Sequence, residues 1–548
     1  MENGNKNEAN EVPMPKDALE VTIGNFGKWQ CRICFLMALL KIPIAWFTLS
    51  IIFLAPPTQF WCETYTKMTE SKWTKMTEVM PIKLEGMNEG FCEMLDMPDY
   101  PNRTIPCKFG FTYNNTIFTS TIISEWDLVC GYERLIDLTQ ITLMLGVLIG
   151  NIFFGILADK IGRKAVIITC ILFQSLFGSF ASFVPNYWLF ILLRFFVAMS
   201  LGGTMVTSFV MCMEVVGGKW RTIMPILYQI PFGFGNSIMA GIAYMIRDWR
   251  YLHLNLSLLS GFYGVFYWCI PESPRWLLVV GKRNEAINVL QKAAIENNIK
   301  RNKFQTGLTQ LSNVNSKKKN YTSCLAIFST EELRKRSYLL CFNWLLYGVT
   351  FYAFSQYLGQ VGTNIFLTVS TSGFVALPGT IACIILVEKC GRRWTIMAAN
   401  LLVAISLLTI IVVPKGTYNF DWPRVTLSAI CIVGLSITMP ALYLFTGELY
   451  PTILRNAGVG VSIMCSRLGS MLAPLIISLE EKGSFVPLII LAMVAFAQSV
   501  LVLPLPETKD SKLPETIEDL CKITDINAEC YQMYEVVSTK ADAEDDRK

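Results

Sequence analysis

The chain holds one histidine, His253, among 548 residues, and Asp, Glu, Lys and Arg together make up only 16% of it. No HExxH, CxxCH or GxSxG context occurs, so the side-chain sets of metalloproteases, haem attachment and serine hydrolases are missing. Gly217-Gly218-Lys219-Trp220 lacks the Ser/Thr and the spacing of a phosphate loop. An enzyme is therefore not expected, and no metal or cofactor is implied. His253 reads as a buried structural group rather than a proton relay. The net charge is only +5, and no basic cluster is interleaved with aromatics, so a nucleic-acid role has no support. The opening stretch of about 30 residues is polar and leads into an apolar run long enough to span, so no secretory leader is expected.

What the chain has in abundance is apolar length. Hydrophobic residues make up 53% of it, and its mean hydropathy is +0.42. Runs of the ~20 residues needed to cross ~30 Å of hydrocarbon fall at 33–55, 136–157, 165–184, 187–213, 223–246 and 251–270. Six more follow at 337–360, 364–387, 394–413, 424–447, 457–479 and 485–504. The expected fold class is an all-α membrane protein of twelve transmembrane helices in two pseudo-symmetric six-helix bundles. Charged signatures repeat in the same order in both halves. Asp159-Lys160-Ile161-Gly162-Arg163-Lys164 returns as Glu388-Lys389-Cys390-Gly391-Arg392-Arg393, an offset of 229. Glu214 with Arg221 returns as Glu448 with Arg455, and Pro271-Glu272-Ser273 as Pro506-Glu507-Thr508. Self-similarity at a fixed period marks duplication, and in a membrane chain it points to two bundles that rock around a central site.

The division expected is a cytoplasmic segment 1–32, a first bundle 33–270, a cytoplasmic loop 271–336, a second bundle 337–504 and a cytoplasmic tail 505–548. Orientation follows from the bias of Lys and Arg toward cytoplasmic loops. Segment 271–336 has thirteen Lys/Arg against five Asp/Glu, whereas 56–135 has seven against eleven and is placed outside. That outer loop carries Cys62, Cys92, Cys107 and Cys130, an even set that reads as two disulfides with three possible pairings. It also carries the glycosylation acceptors Asn102 and Asn114.

The Asp159–Lys164 stretch and its copy resemble the signature of the major facilitator superfamily. Ser124-Glu125-Trp126-Asp127-Leu128-Val129-Cys130, Asp248-Trp249-Arg250, Pro271-Glu272-Ser273-Pro274-Arg275-Trp276-Leu277 and Thr446-Gly447-Glu448-Leu449-Tyr450-Pro451-Thr452 narrow it. Together with the large cysteine-bearing loop after the first span, they resemble the organic cation, carnitine and organic anion transporter family over about 20–520. The resemblance implies the twelve-helix fold, a plasma-membrane address and small organic ions as cargo. Four loop cysteines are fewer than the six common in that family.

Two residue sets follow as candidates. For gating they are Asp159, Arg163, Glu214, Arg221, Glu272, Arg275, Glu388, Arg392, Arg393, Glu448, Arg455 and Glu507, which lie near cytoplasmic helix ends where opposite charges could pair between the bundles. Gly155 is expected to let helices approach closely and Gly162 to supply positive φ. For substrate they are Lys41, Tyr228, Gln229, Trp344, Tyr347, Phe351, Tyr443 and Arg467. Charges inside spans are costly and mark function. Arg467 sits mid-span, while Lys41, about eight residues into its run, either faces the cavity or snorkels. Arg194 reads as structural. Trp344, Tyr347, Phe351, Phe354 and Tyr357 recur every three or four residues along one helical face, and aromatic faces attract quaternary ammonium groups.

Within the resembled family, the position of Arg467 is acidic in organic cation transporters and basic in the carnitine and organic anion branches. Ala376-Leu377-Pro378 also lacks an acid that relatives carry there. The function expected is secondary transport of organic cations or carnitine-like zwitterions, with an organic anion exchanger as the alternative and a channel or receptor as the rival class. Na+ or H+ is the possible coupling ion.

Overall fold

The computed structural model describes residues 18–63, 92–95, 104–107, 110–218, 220–313, 327–328, 330–362, 364–414, 416–451, 454–483 and 485–509. Among them, nine helices are long and apolar enough to cross a membrane. In the first half these are Lys28–Leu54, Cys130–Ile161, Arg163–Ala181 and Tyr187–Val215; in the second they are Glu331–Val361, Ile365–Cys390, Arg392–Val412, Trp422–Leu449 and Ala457–Glu480. The shorter Val486–Leu501 closes the second half. Two more crossings are broken. The fifth runs as Trp220–Leu227 and Ile230–Met245, and the sixth as Trp249–Gly261 followed by the turns Phe262–Val265 and Phe266–Cys269. The fold is thus the twelve-helix bundle expected from the apolar runs.

Local chemistry sets the ends of these helices. Asn186 accepts from Trp188 N at 2.9 Å, Asp248 from Arg250 N at 2.8 Å and Asn364 from Phe366 N at 3.1 Å, each satisfying an orphan N–H at a helix start. The second-to-third and eighth-to-ninth spans join through single glycines, Gly162 at φ +106° and Gly391 at φ +90°, a backbone region that L side chains avoid. Pro231 breaks the fifth span because it lacks an N–H and crowds the carbonyl one turn earlier. The eleventh span, by contrast, stays one helix over Arg455–Ile477 despite its glycines and Pro474.

Small residues bring spans together. A Cβ on Gly348 would strike the Ser466 backbone, and one on Gly469 the Leu345 backbone, so the seventh and eleventh spans touch main chain to main chain. Gly155 does not play that part. Its Cβ position meets only Val206 at an ordinary 3.6 Å, and the close approach between the second and fourth spans is at Gly146, Gly150 and Gly202 instead.

Above the first bundle, Phe60–Cys62 pairs antiparallel with Phe111–Tyr113, and Glu93–Leu95 with Thr104–Pro106. Disulfides join Cys62 to Cys107 and Cys92 to Cys130, one of the three pairings left open by the sequence. Glu125 pairs with Arg250 and accepts from Trp249 Nε1 at 2.6 Å, fixing the loop's return to the bundle. Burial, then the bond to Asp127, raises the Tyr113 phenol above its ordinary pKa. Asn114 Nδ2 donates to Gln59 at 3.2 Å; Asn102 lies outside the described residues.

At the opposite, basic end, helices Pro274–Val280, Arg283–Glu296 and Arg301–Asn313 cap the first bundle. The N-terminal segment is strapped to them and to the start of the fifth span. Asn297 Nδ2 donates to Ile23 O at 3.0 Å, Arg32 pairs with Glu296 at 2.9 Å, and Phe26 stacks on Trp220 at 4.0 Å.

The glycine contacts predict a contrast. Gly348→Leu is expected to lose roughly 1–3 kcal/mol or more to overpacking and to lower the folded yield and melting temperature of the solubilised protein. Gly460→Ala, where a Cβ would meet nothing within 4 Å, is expected to leave both unchanged.

Candidate functional site

Between the two bundles lies a cavity of about 90 Å³. At roughly 10–15 Å³ per water measured the same way, it has space for several waters or one small organic ion. The first, fourth and fifth spans of one bundle and the seventh, eighth, tenth and eleventh of the other supply its walls.

Seven of the eight substrate candidates line it: Lys41, Gln229, Trp344, Tyr347, Phe351, Tyr443 and Arg467. Tyr228 does not. It borders a smaller adjoining chamber shared with Lys41, Asn151, Phe209, Gln229 and Tyr443. There Lys41 Nζ lies 4.7 Å from the Tyr228 ring centre, and the phenol bonds Ser208 at 2.6 Å. Lys41 does not snorkel. The first helix begins at Lys28, earlier than the apolar run suggested, which places Lys41 near mid-span and only 2% exposed. Arg467 is 4% exposed; its Nη1 donates to Tyr352 Oη and its Nη2 lies 3.1 Å from Met205 Sδ on the other bundle. Among the described residues, the cavity walls contain these two cations and no Asp or Glu.

The aromatic face is shorter than its spacing implied. Trp344, Tyr347 and Phe351 face the cavity, Phe354 packs in the core, and Tyr357 accepts from Arg424 at 3.1 Å. At 100° per residue, a wall that starts at Trp344 and Phe351 continues through Ser355 and Leu358, while Tyr357 falls well behind it. The rings brace one another: Trp344 meets Tyr443 edge-on at 4.7 Å, Tyr347 stacks on Phe351 at 5.8 Å, and Trp344 Nε1 donates to Thr446 at 2.9 Å. Sequence reasoning missed Met205, Asn236, Tyr352, Ser372 and Thr380, which also line the cavity. Tyr352 lies a full 100° round the helix from Phe351, and single polar residues in apolar spans give no periodic signal.

The lobes touch on both sides of the cavity. At the loop end, Phe366 of the second bundle stacks on Phe53 at 5.7 Å and meets Phe118 and Tyr244 of the first. At the basic end, Phe209 meets Tyr443 at 5.8 Å.

The gating candidates form two matching clusters, and these run within each bundle, not between bundles as expected. Arg163 pairs with Asp159 at 2.9 Å and with Glu214 at 3.0 Å. Glu272 accepts from Arg163 N at 2.9 Å and Lys164 N at 3.2 Å, and Arg275 Nε donates to Glu214 O at 2.8 Å. In the second half, Arg392 pairs with Glu448 at 2.9 Å, and Glu507 accepts from Arg392 N at 2.9 Å and Arg393 N at 3.0 Å. Glu388 is exposed, and Arg392 turns to Glu448 instead. The cause is topological: each arginine opens a span whose start lies beside the end of the next span in its own bundle. Each Pro-Glu carboxylate sits on a helix N-terminus, where peptide N–H groups and the helix dipole favour an anion. Arg221 approaches Glu20 at 4.0 Å. Arg455 opens the eleventh span, with the charges of Glu448 and, from the other bundle, Arg221 nearby.

Comparison with known proteins agrees with this architecture. A family profile described as "Sugar (and other) transporter" matches residues 111–520. Rat solute carrier family 22 member 3 is 32% identical over 91% of this chain and 94% of its own. The "Organic cation transporter protein" of Drosophila melanogaster is 30% identical over 92% and 94%, and "Organic anion transporter 3" of Oryctolagus cuniculus is 31% identical over 91% and 92%. Among solved structures, the major facilitator proton:xylose symporter XylE bound to 6-bromo-6-deoxy-D-glucose aligns at TM-score 0.60 and 15% identity, over 90% of this chain and 99% of its own. That likeness shows the fold.

If the clusters stiffen each bundle, Arg392→Ala is expected to leave Glu448 bonded, among the described residues, through Thr508 alone and cost roughly 1–3 kcal/mol, read as earlier thermal unfolding. Exchanging both partners, Arg392→Glu with Glu448→Arg, is expected to recover part of the loss. A double variant no more stable than the sum of the two single variants would remove the pair from the account.

Proposed function

This chain belongs to solute carrier family 22 within the major facilitator transporters, and from that premise we propose that it carries small organic ions bearing a negative charge across the plasma membrane by alternating access. The observation that carries the sign is the cavity wall: Lys41 and Arg467, both nearly fully buried, with no carboxylate among the described lining residues. A unit charge ~4 Å away is worth roughly 4 kcal/mol at an effective dielectric near 20. Two such charges repel a simple cation by roughly 8 kcal/mol, at or above what four rings return at ~0.5–2 kcal/mol each by cation–π attraction. A carboxylate gains from the same charges.

Arg467 and Lys41 would hold the anionic group, and Trp344, Tyr347, Phe351 and Tyr443 would enclose the apolar body. A second reading, a carnitine-like zwitterion, is favoured by those same rings, which suit a quaternary ammonium at the far end of the molecule. The organic cations named for some relatives fit this wall least well. In this reading the basic end faces the cytoplasm with both termini, the disulfide-bearing loop faces out with Asn102 and Asn114 as glycan acceptors, and the protein performs no chemistry on its cargo. A channel or receptor is disfavoured by lobes that meet on both sides of the cavity.

Uptake into oocytes of labelled p-aminohippurate, carnitine and tetraethylammonium, with and without sodium and with internal substrate, tests the assignment. Saturable, trans-stimulated uptake of p-aminohippurate is expected, and Arg467→Asp is expected to cut it at least ~10-fold, about 1.4 kcal/mol, while affecting tetraethylammonium less. Uptake of tetraethylammonium alone, or equal loss for both probes in a variant that reaches the surface, would overturn it.

A further inference from the structure

Two enclosed side-chain atoms on the cavity wall have no hydrogen-bond partner among the described residues: Arg467 Nε, a donor, and Asn236 Oδ1, an acceptor. Asn236 is only 7% exposed. Its amide orientation is set by its neighbours. Nδ2 lies 3.3 Å from Val369 O, which can only accept, and 3.1 Å from Ser372 Oγ. The Ser372 hydroxyl itself donates to Val369 O at 2.7 Å, so it receives from Nδ2. Turning the amide over would set oxygen against oxygen, which leaves Oδ1 as the unpaired atom.

Three other hydroxyls on the wall are committed elsewhere. Ser355, Thr380 and Ser436 each donate to their own helices, at 2.7, 3.0 and 2.7 Å. An enclosed acceptor without a donor is costly, roughly 1–3 kcal/mol, and such an atom at a binding cavity is one that a ligand completes.

Asn236 also stands on the seam between bundles. Its two Nδ2 bonds run from the fifth span to the eighth, beside a third from Ser237 Oγ to Ser370 O at 2.9 Å. The helices come this close because Gly233 faces Gly373; a Cβ on Gly233 would lie 2.7 Å from Gly373 O.

We propose that Asn236 is a specificity-determining residue that accepts a hydrogen bond from an N–H or O–H group of the cargo, selecting hydroxy- or acylamino-carboxylates over carboxylates that lack a donor. The assignment rests on the cavity being the cargo site, and its choice of anions on the charge reading above. Arg467 takes the acceptor end of such a molecule and Asn236 the donor end. Because the same amide bonds the opposite lobe through Nδ2, the donor is read at the place where the lobes must move.

Two matched pairs of probes test it: hippurate against N-methylhippurate, and benzyldimethylammonium against benzyltrimethylammonium, each pair differing in one N–H. The wild-type protein is expected to take up hippurate at least ~10-fold better than its N-methyl analogue. Asn236→Leu is expected to bring that ratio near unity by lowering hippurate alone. Ser372→Ala, which removes a seam bond and leaves Oδ1 in place, is expected to keep the ratio while changing turnover. A wild-type ratio near unity, or one that survives Asn236→Leu, would overturn the proposal, and the wild-type ratio decides even where the leucine variant does not reach the membrane. Uptake confined to the ammonium pair would overturn the charge reading instead, and the ratio within that pair would then decide the role of Asn236.

Discussion

A charge in the middle of a bilayer must be neutralised or solvated, and the described cavity wall holds two of them without an acid. Each costs roughly 2.5–3.5 kcal/mol to place at a helix centre on insertion scales. Arg467 spends its guanidinium on a phenol and a thioether, Tyr352 and Met205, neither of which carries charge. Lys41 faces the ring of Tyr228. Under the proposed function an anion entering the cavity would gain what these groups lack, and the cost of burying them would become selectivity for the sign of the cargo. Arg194 shows the contrast. It is just as buried, at 1% exposure, but lies over Phe190 and near Ser50, away from the cavity wall, and is part of the frame of one bundle.

That frame has to be stiff for the cavity to open on alternate sides. The ionic clusters supply stiffness by tying span ends within a bundle: Arg163 to Glu214 in one, Arg392 to Glu448 in the other. Main-chain contact at Gly348 and Gly469 does the same in mid-membrane. The seam between bundles is built differently. The polar links seen across its centre come from Asn236, Ser237 and Arg467, and the rings that meet across it carry no charge. Rocking then breaks few directional bonds while each bundle keeps its own.

The sequence reveals the architecture because hydrocarbon forces it: apolar runs of spanning length, charges confined to loops, and signatures duplicated at one offset. It places Arg467 and Trp344 in the cavity for the same reason, since a mid-span charge or a large ring every turn has few other uses. It fails where the answer depends on which bundle a neighbour belongs to. Arg163 and Glu214 read as ready to pair with anything of opposite charge at the same depth, and only the packing of the third span against the fourth makes the pair internal. Pro231 and Pro474 look alike on paper, yet one breaks its span and the other sits near the end of an unbroken helix. Asn236 was invisible as a site residue because a lone amide in an apolar span has no period and no partner until the eighth span is laid beside it.

The ring contacts between lobes lie on either side of the cavity. Phe366 meets Phe53, Phe118 and Tyr244 at the loop end, and Phe209 meets Tyr443 at the basic end. Pairs of this kind are worth roughly 0.5–1.5 kcal/mol beyond their buried area, and they part without leaving an unpaired charge in hydrocarbon. An ionic seal at the same depth would strand both partners on opening, at roughly 3–5 kcal/mol for a buried pair. Ion pairs are therefore placed where nothing separates, and rings where something must. Tyr443 belongs to both systems, lining the cavity and meeting Phe209 on its basic side, so under the proposed function cargo resting against that ring would bear directly on the contact that rocking must part.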